Sequence, residues 1–417
     1  MSRATERPAR LRPPAQDGVA MAAAERARTG TSSTLVAARV PRDLRLDFFR
    51  GLALVFIFFD HIPGNLVSWL TVRNYAFSDA TEMFIFISGY SAALAYGGAL
   101  QRQGFLVAAA KVLRRCWQLY IAHIFLFVIF TAQIAYVAHN FRNPMFVDEM
   151  GIAGFLNEPY VALGQALLLK FKPANMDVLP LYIALLLVFP VILWGLYKNS
   201  TAVLAASVAL YVLQWYFDWN LPSYPDDKGW FFNPFAWQLL FVFGALCGRW
   251  RGTPLWPWLP ARATLIAAIV YILFAFFIVM TWHFPRLAVY VPTWLAQILY
   301  PIDKTDLDLL RLASFLALAY VTVHFVTADA AFLRWRVAAP LIRCGQHSLH
   351  VFCLGIFLSF AGHLVLTEIS GRPVSQILVN IAGVGLMVGM AYLLAWYKSA
   401  EAPKRPVAAS AQGSEAS

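Results

Sequence analysis

Ten apolar runs dominate this chain, most of them close to the ~20 residues a helix needs to cross the hydrocarbon core of a bilayer. They lie at about 48–69, 80–100, 117–139, 178–197, 201–217, 231–249, 262–281, 309–328, 347–367 and 376–397. A water-soluble fold of 417 residues could not hide them, because 60% of the chain is hydrophobic and only 13% is charged, about half the ~25% of soluble domains. The expected fold is therefore all-α: a polytopic integral membrane bundle of about ten transmembrane helices, neither secreted nor cytosolic. No internal repeat relates the runs to one another.

Loop charges orient the runs. Cationic loops stay on the cytoplasmic side, and with the N-terminus inside, the second-to-third connection carries Arg102, Lys111, Arg114 and Arg115. The sixth-to-seventh carries Arg249, Arg251 and Arg262, and the eighth-to-ninth Arg334, Arg336 and Arg343; the last run exits through Lys398, Lys404 and Arg405. The opposite loops are longer and mix their cations with acids, as in 140–177 and in 218–230, where one Lys meets Asp218, Asp226 and Asp227. The alternation predicts both termini in the cytoplasm.

The same distribution excludes a nucleic-acid partner, despite a net charge of +11. The cations sit in loops and tails, where positive-inside anchoring accounts for them. Residues 1–40 place Arg3, Arg7, Arg10, Arg12, Arg26 and Arg28 among Ala, Pro and Ser without a signal-peptide core, and they read as a disordered basic cytoplasmic tail. Residues 399–417 read as a second tail, which leaves 41–398 as the transmembrane domain. Cys116, Cys247, Cys344 and Cys353 form no CxxC pair, so neither a metal site nor a disulfide framework is expected.

Ionisable groups inside membrane runs are costly and usually functional. They concentrate in LDFFRGLALVFIFFDHIPGN (46–65), which holds Asp47, Arg50, Asp60 and His61, and FSDATEMFIFISGY (77–90), which holds Asp79 and Glu82 with the polar Ser88. Arg50 and His61 are eleven residues apart, so they share a helix face to within ~20° and stand ~16 Å apart along the axis. Asp47 lies one turn before Arg50 and can pair with it; Asp79 and Glu82 are likewise one turn apart. Pro63 and Gly64 should end the helix just beyond His61.

A polar stripe ending in a deep histidine suits a reaction whose two substrates come from opposite faces. A neutral imidazole is well matched to removing a hydroxyl proton near pH 7. Asp60 or Glu82 is positioned in sequence to fix its tautomer and stabilise the imidazolium. Taken alone, Arg50 is equally well an interfacial anchor and His61 a helix-end cap; the whole set points to chemistry.

Other candidates stand further off. His123 reads as a core histidine bonded to a backbone carbonyl. Asp177 opens the fourth run, where it is either a site residue or the partner of a helix N-terminus. Asn233 and Gln238 are polar enough to line a cavity, and the neighbouring Trp237 is as easily an interfacial belt residue. Arg114 and Arg115 can hold phosphates or simply anchor the cytoplasmic side. No G-x-S-x-G elbow, P-loop or H-E-x-x-H occurs, which removes the usual handles of serine-hydrolase, ATP-driven and zincin chemistry.

The strings LRLDFFRGLALVFIFFDHIPGN, WLTVRNYAFSDATEMFIFISGY, RRCWQLYIAHI, MDVLPLYIALL, FNPFAWQLLF and CGQHSLHVFCLG resemble the OpgC family, from about residue 42 to 397. That family succinylates osmoregulated periplasmic glucans of Gram-negative bacteria, within a broader set of integral-membrane acyltransferases that carry an Arg-x10-His motif. Arg50 and His61 match that spacing. The resemblance implies transfer of an acyl group from cytoplasmic acyl-CoA, succinyl-CoA in particular, to sugar hydroxyls in the periplasm, at the bacterial inner membrane and with no tightly bound cofactor. His61 would be the catalytic base or a transient acyl carrier, and Arg50 would position the donor. Asp60 and Glu82 would support them; Asp47, Asn65, Asp79, Arg114, Arg115, Asp177, Asn233 and Gln238 form the expected substrate-binding set. The alternatives are an O-acetyltransferase of another envelope polysaccharide and a transporter, which would show inverted repeats.

Overall fold

The computed structural model describes residues 43–225, 228–251 and 261–401. The tails expected at 1–40 and, beyond Glu401, at the C-terminus lie outside the described residues, as do Asp226 and Asp227. Among the described residues there is no strand, and each of the ten apolar runs overlaps a helix, the second and third sharing one.

The long helices are α1 (Leu44–Asp60), α2 (Ala80–Phe141), α3 (Val178–Lys198), α4 (Ser200–Phe217), α5 (Pro234–Arg249), α6 (Ala261–His283) and α7 (Leu309–Phe325). The short α8 (Ala339–Gln346) precedes α9 (Ser348–Leu364), which continues through a π-helical turn to Ile369, and α10 (Pro373–Glu401) follows. Six of these are long and apolar enough to cross a bilayer: α2, α3, α4, α6, α9 with its π turn, and α10. The 17 residues of α1, the 16 of α5 and the 17 of α7 are shorter. Two of these sit inside the protein, since α1 and α5 bury much of their length.

Three boundaries differ from the sequence expectation. The first run was expected to reach residue 69, but α1 stops at Asp60, and two 3₁₀ turns (Leu66–Leu70 and Val72–Asn74) carry the chain on. Gly64 supplies the positive φ of +67° in that break. The second and third runs share the single 62-residue α2, ~93 Å if it were straight and about three bilayer cores long. It is not continuous: Gly104 leaves helical geometry at φ +82°, ψ 176°, a conformation only glycine enters freely. The loop expected over 140–177 also contains three short helices, Met145–Glu149, Ala153–Asn157 and Pro159–Leu167.

The core positions α1 through a contact too close for any side chain. A Cβ on Gly51 of α1 would strike the Leu341 carbonyl of α8, and one on Gly345 of α8 would strike the Asp47 carbonyl of α1. Small residues let helix backbones approach in this way where lipid gives no hydrophobic drive to pack. α1 is thereby fixed in place, and each of its ends meets a cavity.

Candidate active site

The chain turns out of α1 at His61. Its backbone N–H closes the last helical bond to the Ile57 carbonyl at 3.1 Å, and its ring Nδ1 lies 2.7 Å from the same oxygen. A carbonyl can only accept, so Nδ1 carries the proton and donates it. In the neutral ring this leaves the lone pair on Nε2. The expectation that Asp60 or Glu82 fixes the tautomer is therefore corrected: the last turn of α1 fixes it itself, because the Ile57 carbonyl that accepts the His61 backbone N–H has a second lone pair for the ring.

His61 lines a cavity of about 1440 Å³ at this end of α1. Asp60, Asn65, Asp79 and Asp177 of the expected set line it too, with Arg73, Lys172, Lys304, Trp69 and Trp230. Asp60 accepts from the Thr71 hydroxyl at 2.8 Å, which ties the 61–79 segment back onto the helix end. Asn65 caps the first 3₁₀ turn through the Val67 N–H at 3.1 Å. It also exchanges amide hydrogen bonds with Asn380 of α10, at 3.0 and 2.8 Å.

Asp79 and Glu82 begin α2 as a capping box. The Asp79 carboxylate accepts from the Thr81 N–H at 2.8 Å, and Glu82 reaches back to the Asp79 N–H at 2.8 Å. Both acids then meet cations from beyond α6. Lys304 Nζ lies 2.6 Å from Asp79, and Arg311 Nη2 lies 3.1 Å from Asp79 and 2.6 Å from Glu82. Glu82 is fully buried, so its charge depends on this four-membered cluster. Glu82 thus binds α2 to α7, and the cluster forms one wall beside His61. Sequence reasoning missed Arg311, although an arginine inside the apolar run LLRLASFLALAY is the same signal that singled out Arg50.

Asp177 occupies the N-cap position of α3, yet its side chain makes no capping bond. Its carboxyl belongs to the cavity and is not consumed by the helix. Burial raises its pKa to about 6 against the lowering influence of Lys172. Burial likewise lowers Lys172 to about 8, with Asp177 opposing.

The other end of α1 opens on a separate pocket of about 170 Å³, lined by Arg50, Arg115, Ser88, Ser91, Tyr96 and Tyr182 among others. Arg50 Nη2 donates to the Ser91 hydroxyl at 2.6 Å and to the Ile87 carbonyl at 3.1 Å. Asp47 is buried nearby on α1, and Gln346 of α8 reaches its carboxylate at 3.5 Å. Arg114 is exposed and lines neither cavity.

Two expected binding residues stand elsewhere. Asn233 caps α5 through the Phe235 N–H at 3.0 Å and bonds Trp219 and Asp306, each at 2.7 Å. Gln238 accepts from Ser207 Oγ at 2.6 Å and donates to the Ser207 carbonyl at 2.8 Å, joining α5 to α4. Their polarity is satisfied inside the fold, not in a cavity. Trp237 is fully buried, donating to the Lys304 and Thr305 carbonyls. His123 is buried as expected, but neither ring nitrogen has a hydrogen-bond partner among the described residues.

A sequence model of the family described as OpgC protein covers residues 42–399. No curated protein matches the chain.

Proposed function

The chain belongs to the OpgC family, and from that premise we propose that it is a membrane acyltransferase whose donor meets α1 at Arg50 and whose acceptor meets it at His61. One observation carries the reading: a single 17-residue helix presents Arg50 to one cavity and His61, just past its end, to another. The narrow pocket suits a slender acyl-bearing arm, with Arg50 and Arg115 facing its anionic parts. The wide cavity suits a sugar polymer.

In the reaction as proposed, the donor's arm reaches from Arg50 along α1 over ~16 Å to bring its thioester to His61, where an acceptor hydroxyl gives its proton to Nε2 while its oxygen attacks the thioester carbonyl carbon. The tetrahedral intermediate then expels the thiolate, which takes the proton from the imidazolium, leaving an ester and a free thiol. The Ile57 carbonyl keeps Nδ1–H aimed along the helix throughout, so Nε2 is the nitrogen that cycles.

The donor we assign is succinyl-CoA, and the acceptor hydroxyls are those of osmoregulated periplasmic glucans. The membrane is the bacterial inner membrane, crossed by ten spans with both termini cytoplasmic. In support, cations gather in the connections on the Arg50 side, and Gly104 breaks α2 between its two apolar runs. The test uses purified protein in lipid nanodiscs with labelled succinyl- and acetyl-CoA and a periplasmic glucan acceptor. Succinyl ester should form with the wild type and vanish with His61→Ala in a variant that melts normally. Full activity in that variant overturns the role of His61, and acetyl transfer alone overturns the donor.

A further inference from the structure

The wide cavity has a second wall, built from other parts of the chain than the His61 segment, and its chemistry is that of a sugar site. Lys172 and Asp177 come from the loop before α3, and Trp230 from the loop before α5; all three line the cavity. Lys172 Nζ stands 4.3 Å from the centroid of the Trp230 ring and donates to the Leu169 carbonyl at 3.2 Å. The Trp230 indole N–H is anchored on the Pro222 carbonyl at 3.2 Å.

The wall is held rather than loose. The Tyr224 N–H donates to the Lys170 carbonyl at 3.1 Å, and Phe171 bridges to Tyr224. The Trp230 N–H donates to the Leu221 carbonyl at 2.9 Å. Leu169 and Asn175 both adopt left-handed backbone, at φ +60° and +71°, a cost that tends to be kept where geometry serves a site. The Asp177 carboxyl makes no capping bond to α3 and lines the cavity as an acceptor, and the Lys172 ammonium lines the same cavity as a donor.

We propose that Asp177 and Lys172, with Trp230 behind them, form an acceptor subsite that holds a sugar unit of the glucan other than the one being acylated at His61. Hydroxyls of a pyranose both donate and accept, so a carboxylate and an ammonium on one cavity wall serve different hydroxyls of the same ring. This rests on the acyl-transfer reading and adds to it a reason why the acceptor must be a polymer: a single sugar fills the place at His61 but leaves the second wall unoccupied.

The test compares glucose with a linear glucan oligosaccharide as acceptor, using Asp177→Asn, Lys172→Met and the wild type in nanodiscs with succinyl-CoA. Losing a hydrogen bond to a charged group raises KM for the oligosaccharide by about 10-fold or more. KM for glucose and for the donor stays unchanged, and Asp177→Glu recovers part of the loss. Equal losses on both acceptors, or no loss on either, overturn the subsite. Absence of transfer by the wild type to either acceptor defeats acyl transfer itself, a result distinct from variants that treat both acceptors alike. The isosteric Asp177→Asn keeps the volume of the site, and its melting temperature reports directly whether the fold is intact.

Discussion

The two ends of α1 meet cavities that differ about eightfold in size, and the difference follows from what builds them. At the Arg50 end the walls are packed helices, α1 against α2 and α3, and the space between their side chains is about 170 Å³. At the His61 end every helix is beginning or ending. The walls there are 3₁₀ turns, caps and loops, and they enclose about 1440 Å³. Helix faces make slots, whereas helix ends make basins with backbone and side-chain polar groups to spare. A slot suits an extended arm and a basin suits a polymer, so the asymmetry supports the proposed division into a donor side and an acceptor side.

The sharpest way to break that division is a pair of substitutions, one at each end of α1. His61→Ala should lower kcat by about 10²- to 10⁴-fold, the usual worth of a general base, and leave the donor KM alone. Arg50→Gln should do the opposite, raising the donor KM while the acceptor KM holds. Steady-state kinetics with both substrates varied decides it. If His61→Ala moves the donor KM as Arg50→Gln does, the two cavities are not separate functional sites.

The next effect concerns stability. Arg311→Met removes the partner that faces Glu82 at 2.6 Å and leaves a fully buried carboxylate, a change that costs about 3–5 kcal/mol. A large fall in melting temperature in detergent is expected, and pairing it with Glu82→Gln should restore part of the loss. An unchanged melting temperature would show that the wall beside His61 does not depend on this charge.

These two predictions mark what was legible from sequence and what was not. The apolar runs were legible because every stretch of ~20 apolar residues must be helical in lipid. Arg50 and His61 were legible because α1 is regular, so eleven residues fix both their face and their separation. The partners of the acids were not. Arg311 and Lys304 lie more than 200 residues from Asp79 and Glu82, and no local period links them. The tautomer was misassigned for a related reason: sequence shows carboxylates but not which backbone carbonyl a ring meets at a helix end, and Ile57 is invisible as a hydrogen-bonding residue. For Asn233 and Gln238 the sequence leaves two readings open, because polarity in an apolar run marks an interhelical bond as readily as a cavity.

A smaller stability effect tests how α1 is held between its two cavities. Gly345→Ala, the smallest addition, drives a Cβ into the Asp47 backbone carbonyl, and overpacking costs about 1–3 kcal/mol or more. Because α1 must shift as a body, both the donor and the acceptor KM should rise together. A variant that harms only one of them would show that the ends of α1 move independently.

The smallest expected effect separates the cavities by pH. Burial raises the Asp177 pKa from 3.8 to about 6, so its carboxyl is mostly ionised at pH 7.5 and mostly protonated at pH 5. The protonated form loses an acceptor, and the oligosaccharide KM should rise as pH falls through about 6. The donor KM should stay flat over that range, because Asp177 does not line the Arg50 pocket. The same shift has a stability signature of definite sign. Between 3.8 and about 6 the folded state binds this proton more tightly than the unfolded chain does, so its contribution to stability falls as pH rises. Asp177→Asn therefore removes a charge that burial disfavours: at pH 7.5 it should melt slightly higher than the wild type while binding the oligosaccharide less well. Gains in stability traded against function are what a residue kept for its ligand produces. A variant that loses both together would return Asp177 to a purely structural place at the head of α3.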